Sequence, residues 1–92
     1  MQTIYKYALG FVFEQKISLP KGCKILSVEE QYEKIVLYAF VDTEETELVD
    51  YLFFVKGTGH DCSGMGEVTF LGTVSLQGGG LMFHVFYKGD IK

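Results

Sequence analysis

The sequence contains no arginine and no tryptophan, a single proline and only two cysteines. Each shortage closes a class of function. Proteins that read guanine edges or grip phosphates on duplex nucleic acid lean on the planar guanidinium fork, which the lysine ammonium does not copy. All eight basic residues are lysine, scattered singly between Lys6 and Lys92, and the net charge is −4. No basic stripe follows a duplex backbone, so duplex nucleic acid is not an expected partner. Two cysteines, Cys23 and Cys62, cannot make a disulfide framework, and the opening residues carry no secretory pattern. A reducing cytoplasm is the expected compartment. The longest apolar runs, such as IVLYAFV at 35–41, fall far short of the roughly 20 residues of a membrane helix. A membrane partner is not expected either.

What is present points to a small, apolar domain. The 92 residues are read as one β domain, 1–92. Hydrophobic residues make up 48%, with eight Phe and six Tyr. That composition is too apolar for a disordered chain. It is also a heavy aromatic load for a small domain to bury, so part of it is expected to serve an oligomer interface or a ligand.

Val, Ile, Phe, Tyr and Thr recur in short runs between turn residues, the signature of strands. The runs predict strands over Thr3–Leu9, Phe11–Leu19, Lys24–Gln31, Lys34–Asp42, Glu47–Lys56, Glu67–Leu76 and Leu81–Lys88. Gly10 is read as a bulge, Pro20-Lys21-Gly22 as a tight turn, Gln31-Tyr32-Glu33 as a link and Gly78-Gly79-Gly80 as the close of a last hairpin. The segment Ser27–Ile35 has capping-box spacing, with Glu30 three residues after Ser27, and is the one place where a short helix competes. In Lys34–Asp42 and Leu81–Lys88 both alternating faces are apolar. Such strands are expected to be central and covered on both sides, by a second sheet or by another copy of the chain. The fold class read from these patterns is all-β: a small antiparallel sandwich or barrel of six to seven strands, with at most one short helix, in a homo-oligomer.

Several side chains invite chemistry. Cys23, His60, Cys62 and His84 are zinc-ligand types, but their spacing matches neither a finger nor a knuckle, and no metal site is expected. Cys62 with His60 or His84, oriented by Asp61 or Asp90, has the composition of a thiol nucleophile, yet the surrounding glycines make that geometry hard to hold. No catalytic residue is assigned, and no cofactor is expected. Glu29, Glu30, Glu33, Glu44, Glu45 and Glu47 read as solvated charges that keep turns and edges soluble. The turn Gly57-Thr58-Gly59-His60 can present backbone N–H groups to an anion, with Lys56 adding a cation; no helix or Gly-Lys-Ser/Thr follows, so it is not a P-loop. His84, inside MFHVF, is read first as a core histidine bonded to a neighbouring strand. The alternative is a pocket wall shared with Tyr38, Phe40 and Tyr51. The candidate ligand-binding residues are therefore Lys56, Thr58, Gly59, His60, Tyr38 and His84. The following Asp61–Gly66 segment reads as a flexible local addition.

Across its length the chain resembles a family of small, functionally uncharacterised proteins encoded mainly by bacteriophages and prophages. The resemblance is carried by Ile4-Tyr5-Lys6-Tyr7, Leu19-Pro20-Lys21-Gly22, Ile25-Leu26-Ser27-Val28, Gly57-Thr58-Gly59-His60, Leu71-Gly72-Thr73-Val74 and His84-Val85-Phe86. Asp61 stands where that family usually has proline, and Tyr38 and Phe83 stand where tryptophans are usual. The resemblance implies a phage origin and a host-cytoplasmic location, with no activity attached. The function expected is a non-enzymatic binding protein that sequesters a nucleotide-like host immune signal in a pocket at a subunit boundary. The alternatives are a protein–protein inhibitor of a host defence enzyme and a minor structural phage protein.

Overall fold

The structure, a computed structural model, describes the backbone of residues 1–91 and the side-chain surroundings of residues 1–89. Seven strands follow one another: β1 (Gln2–Leu9), β2 (Glu14–Pro20), β3 (Lys24–Gln31), β4 (Lys34–Asp42), β5 (Leu48–Gly57), β6 (Thr69–Leu76) and β7 (Leu81–Ile91). The only helical element among the described residues is a single 3-10 turn, Gln77–Gly79. The strands form two antiparallel sheets, one of three strands in the order β1-β4-β3 and one of four in the order β2-β5-β7-β6. The all-β antiparallel architecture is the one read from the sequence. The Ser27–Ile35 segment is strand–turn–strand.

The alternation along each strand sorts residues into a shared core and two outer faces. Ile35, Leu37 and Ala39 of β4 are fully buried, and they pack with Leu19, Phe53, Val55 and Val85 from the other sheet. Each of the larger of these side chains, Ala39 apart, contributes roughly 1.5–3 kcal/mol by leaving water. The two sheets also meet at their β3 and β6 edges. A Cβ on Gly72 would lie 2.9 Å from Val28 Cγ1, so only glycine lets β6 come this close to β3.

Both faces of β4 and β7 are apolar, but within the chain only the inner face is covered by the second sheet. The outer faces have partial covers of their own. Lys6 Nζ donates to Gln31 Oε1 at 2.7 Å, bridging β1 to β3 across β4, and Val36 beneath it is buried. On the four-stranded sheet the Lys88 ammonium lies 5.8 Å from the centre of the Phe54 ring.

Several strand ends shift by one to three residues from the expectation; at the first connection Gly10 is not a bulge, and β2 begins at Glu14 rather than Phe11. The Gln15 side chain takes both the N–H of Gly10, at 2.8 Å, and its carbonyl, at 2.9 Å. This clasp closes a 10–13 loop that carries the chain from one sheet to the other. Phe11, Val12 and Phe13 are left exposed, against what their hydrophobicity suggested. The 61–68 segment makes contacts of its own. Ser63 N–H donates to Asp61 Oδ1 at 2.8 Å, and Met65 is 9% exposed. The Cβ position of Gly66 is 2.9 Å from Lys88 Nζ, so the segment lies over the outer face of the four-stranded sheet.

Candidate functional site

Antiparallel register brings four connections to one end of the sandwich: the 10–13 loop, the Tyr32-Glu33 turn, the start of the β5–β6 connection and the Gln77–Gly80 turn. Two hollows open there side by side. One, of about 410 Å³, is walled by Phe11, Leu76, Leu81 and Phe83, with Glu33 and Gln77 at its edge. The other, of about 360 Å³, is lined by Gly57, Thr58, His60, Gly80 and Met82, and shares Leu81 and Phe83 with the first. The pair forms a groove with an apolar half and a polar half, both in the size range of small-molecule sites.

The polar half is built around the Gly57–His60 turn. His60 N–H donates to the Gly57 carbonyl at 3.0 Å, and Gly57 N–H donates to His60 Nδ1 at 2.8 Å. Nδ1 therefore accepts, and in the neutral ring the remaining proton sits on Nε2. Nε2 has no hydrogen-bond partner among the described residues. The ring also stands edge-on to Phe13, with centroids 4.9 Å apart. The bare Gly57 leaves room for this ring position, since a Cβ there would sit 2.8 Å from His60 Cε1.

The second histidine grips the same turn one residue on. His84 Nε2 is 2.8 Å from Thr58 Oγ1, and His84 Nδ1 is 3.0 Å from Thr73 Oγ1. Neutral imidazole donates at one nitrogen and accepts at the other, and a hydroxyl plays either role, so both contacts are satisfied together. The neighbour-strand bonding is the one the sequence suggested for His84, but the residue is half-buried on the outer face of its sheet, opposite Lys56, and not in the core. It ties β7 to β6 and to the turn after β5.

Of the predicted residues, Thr58 and His60 line the polar hollow, Lys56, Gly59 and His84 stand next to them outside its lining, and Tyr38 is elsewhere. Tyr38 lies on the outer face of the three-stranded sheet, in register with Lys6 and Ser27. Phe40 shares that face, whereas Tyr51 packs against the core, so the three aromatics do not form a wall beside His84. The anion-nest reading is also narrowed. Gly57 and His60 N–H are spent within the turn, and Thr58 N–H donates to the Met82 carbonyl at 3.4 Å. Donors left to a ligand are the Gly59 N–H, His60 Nε2 and the Lys56 ammonium, which lies 4.9 Å from the Phe13 ring centre.

The other chemical candidates separate in space. Cys23 is buried in the core while Cys62 is exposed. The Cys62 thiol reaches the His60 carbonyl at 3.6 Å, not the imidazole. The side chain of Asp90, and all of Lys92, lie outside the described residues. No group of three or more His, Cys, Asp or Glu side chains is placed to hold a metal ion among the described residues. Asp61 has its carboxyl held below the ordinary value by hydrogen bonds from the Ser63 side chain and backbone, with help from the Lys56 charge. No described helix is long and apolar enough to cross a membrane.

The family described as Domain of unknown function (DUF7352) matches residues 1–91, which takes in all seven strands and every wall of the groove. The chain belongs to that family. No curated protein and no solved structure matches it. The DUF7352 domain of this chain therefore includes both histidines and the turn they hold.

Sequence reasoning missed the apolar half of the groove. The sequence pattern places Phe11 in a strand and Glu33 among the solvated charges. The available signal was the two-residue Tyr32-Glu33 turn itself. A hairpin this tight favours Asn-Gly, so Tyr-Glu in its place marks a turn chosen for something other than ease of folding.

Proposed function

We propose that this DUF7352 chain is a non-enzymatic binding protein of phage origin that sequesters a small nucleotide-like molecule of the host in the groove at its loop end. The observation that carries the reading is the pair of adjoining hollows sharing Leu81 and Phe83. A flat base fits the aromatic half by lying against Phe11 and Phe83, whose rings pack on each other with centroids 5.7 Å apart. The phosphate falls toward His60 Nε2, the Gly59 N–H and Lys56. The rim is apolar and exposed at Val12, Phe13 and Tyr32. A second copy laid over this rim would exclude water and complete the pocket, which accounts for the aromatic excess of the composition. Phage origin rests on the full-length sequence pattern.

Titration calorimetry with a panel of nucleoside 5′-monophosphates and cyclic nucleotides tests the proposal. Saturable binding of at least one member, recovered unchanged by chromatography, is expected. Leu81→Glu should abolish binding by placing a carboxylate between the hollows. Leu81 is 40% exposed, so the fold should survive the change. No binding across the panel, or binding indifferent to Leu81→Glu, overturns the proposal.

A second reading is favoured by one observation, the run Phe11-Val12-Phe13 exposed at 55%, 52% and 58%. In that reading the run docks onto a host defence enzyme and inhibits it. Inhibition that persists in Leu81→Glu but is lost in Phe13→Ser would select it.

A further inference from the structure

The described non-glycine residues with positive φ are Tyr32 at 52°, Glu33 at 62° and Gln77 at 51°. L-residues avoid this region because Cβ crowds the backbone, and such outliers collect at ligand clamps and active sites. Here all three belong to one place. Glu33 Oε2 accepts the backbone N–H of Gln77 at 3.0 Å, joining the two strained turns at the edge of the apolar hollow that both residues line. Tyr32 stands beside it at 88% exposure. The strain sets a carboxylate at the edge of an aromatic hollow and fixes its direction. Oε1 has no partner among the described residues, and Oε2 keeps a lone pair.

From this we infer that the hollow recognises guanine, so that the ligand is a guanine nucleotide. The inference rests on the groove reading above and narrows it. A carboxylate only accepts hydrogen bonds. Guanine presents two adjacent donors on its pairing edge, N1–H and the 2-amino group. Adenine and cytosine each set one donor beside a ring nitrogen that accepts, which a carboxylate repels. Uracil has a single N–H between two carbonyls. The carboxylate thus matches guanine with two charge-assisted bonds, while Phe11 and Phe83 supply the apolar walls and Tyr32 a ring able to close over the base. With the base held there, the phosphate end crosses Leu81 toward His60 and Lys56.

Titration of the full chain with GMP, IMP and AMP tests this, since IMP keeps N1–H but lacks the 2-amino group. The wild-type chain should bind in the order GMP, IMP, AMP, with GMP tighter than AMP by about tenfold or more. Glu33→Gln should weaken GMP about tenfold and leave AMP no weaker than in the wild-type chain, since the repelling carboxylate is gone. Equal binding of GMP and AMP to the wild-type chain overturns the guanine inference and leaves the groove reading standing, and so does a GMP preference that survives Glu33→Gln. The ligand series uses the unmodified chain, so it decides the matter even if the variant does not fold. Failure of all three nucleotides to bind removes the inference together with the reading beneath it.

Discussion

Glu33 and Gln77 sit 44 positions apart in sequence, both in left-handed backbone, and are joined by a 3.0 Å hydrogen bond from the Gln77 N–H to the Glu33 carboxylate. That bond links the tip of the β3–β4 hairpin to the tip of the β6–β7 hairpin. It lies on the same side of the sandwich as the Val28–Gly72 approach, so the two sheets are tied there twice, once by packing and once by a polar contact. The groove opens beside the polar tie.

Strain at the Tyr32-Glu33 turn should be measurable as lost stability. Asparagine tolerates left-handed backbone better than tyrosine, and the Tyr32 side chain is 88% exposed, so little packing is at stake. Tyr32→Asn should raise the unfolding free energy by about 0.5–1 kcal/mol in urea titration while weakening nucleotide binding. A variant that is both less stable and a better binder would contradict the role given to this turn.

The junction of the sheets depends on the absence of a side chain at position 72. Gly72→Ala should destabilise by about 1–3 kcal/mol, because the new methyl meets Val28 at 2.9 Å. Pairing it with Val28→Ala should recover about 1 kcal/mol relative to the sum of the single changes. Additive single and double variants, by thermal or urea unfolding, would show that β3 and β6 do not pack at this point.

Position 57 separates the placement of His60 from the fold. The atoms a Cβ would meet there belong to the end of a side chain that can swing outward. Gly57→Ala should therefore cost only about 1 kcal/mol, the loss of one hydrogen bond, while displacing the imidazole from the groove. The expected result is weaker nucleotide binding at nearly unchanged secondary structure. Full binding in Gly57→Ala would remove His60 from the site.

Tyr7 gives the chain an alkaline limit. Its hydroxyl is pushed above the ordinary value of 10.0, first by desolvation and then by the neighbouring Cys23 and Tyr5. The folded chain then keeps the Tyr7 proton at a pH where the unfolded chain has lost it. Stability is unaffected by this group below pH 10 and falls as pH rises through and beyond that value. Unfolding midpoints followed from pH 9 to 11 should decline less steeply for Tyr7→Phe than for the wild-type chain.

Strand positions were legible in the sequence because a two-residue period and the turn residues at Pro20–Gly22 and Gly78–Gly80 are local signals. Two-sided apolar patterning likewise marked β4 and β7 as central. Which sheet each strand joins is not a local property. Tyr38 was therefore grouped with His84, although β4 and β7 belong to different sheets. The same limit hid Glu33, whose partner is far off in sequence, and Phe11, whose exposure follows from the Gln15 clasp and not from its own hydrophobicity. The polar half of the site was legible because Gly57, Thr58 and His60 are neighbours in the chain.

The central claim is that the loop-end groove captures a nucleotide inside an infected host cell. Its most direct test is mass spectrometry of small molecules released by heat from the chain purified from phage-infected cells, beside Leu81→Glu purified in the same way. The account predicts a stoichiometric guanine nucleotide from the wild-type chain and none from the variant. A wild-type chain that releases no nucleotide, or releases as much from Leu81→Glu, would contradict it.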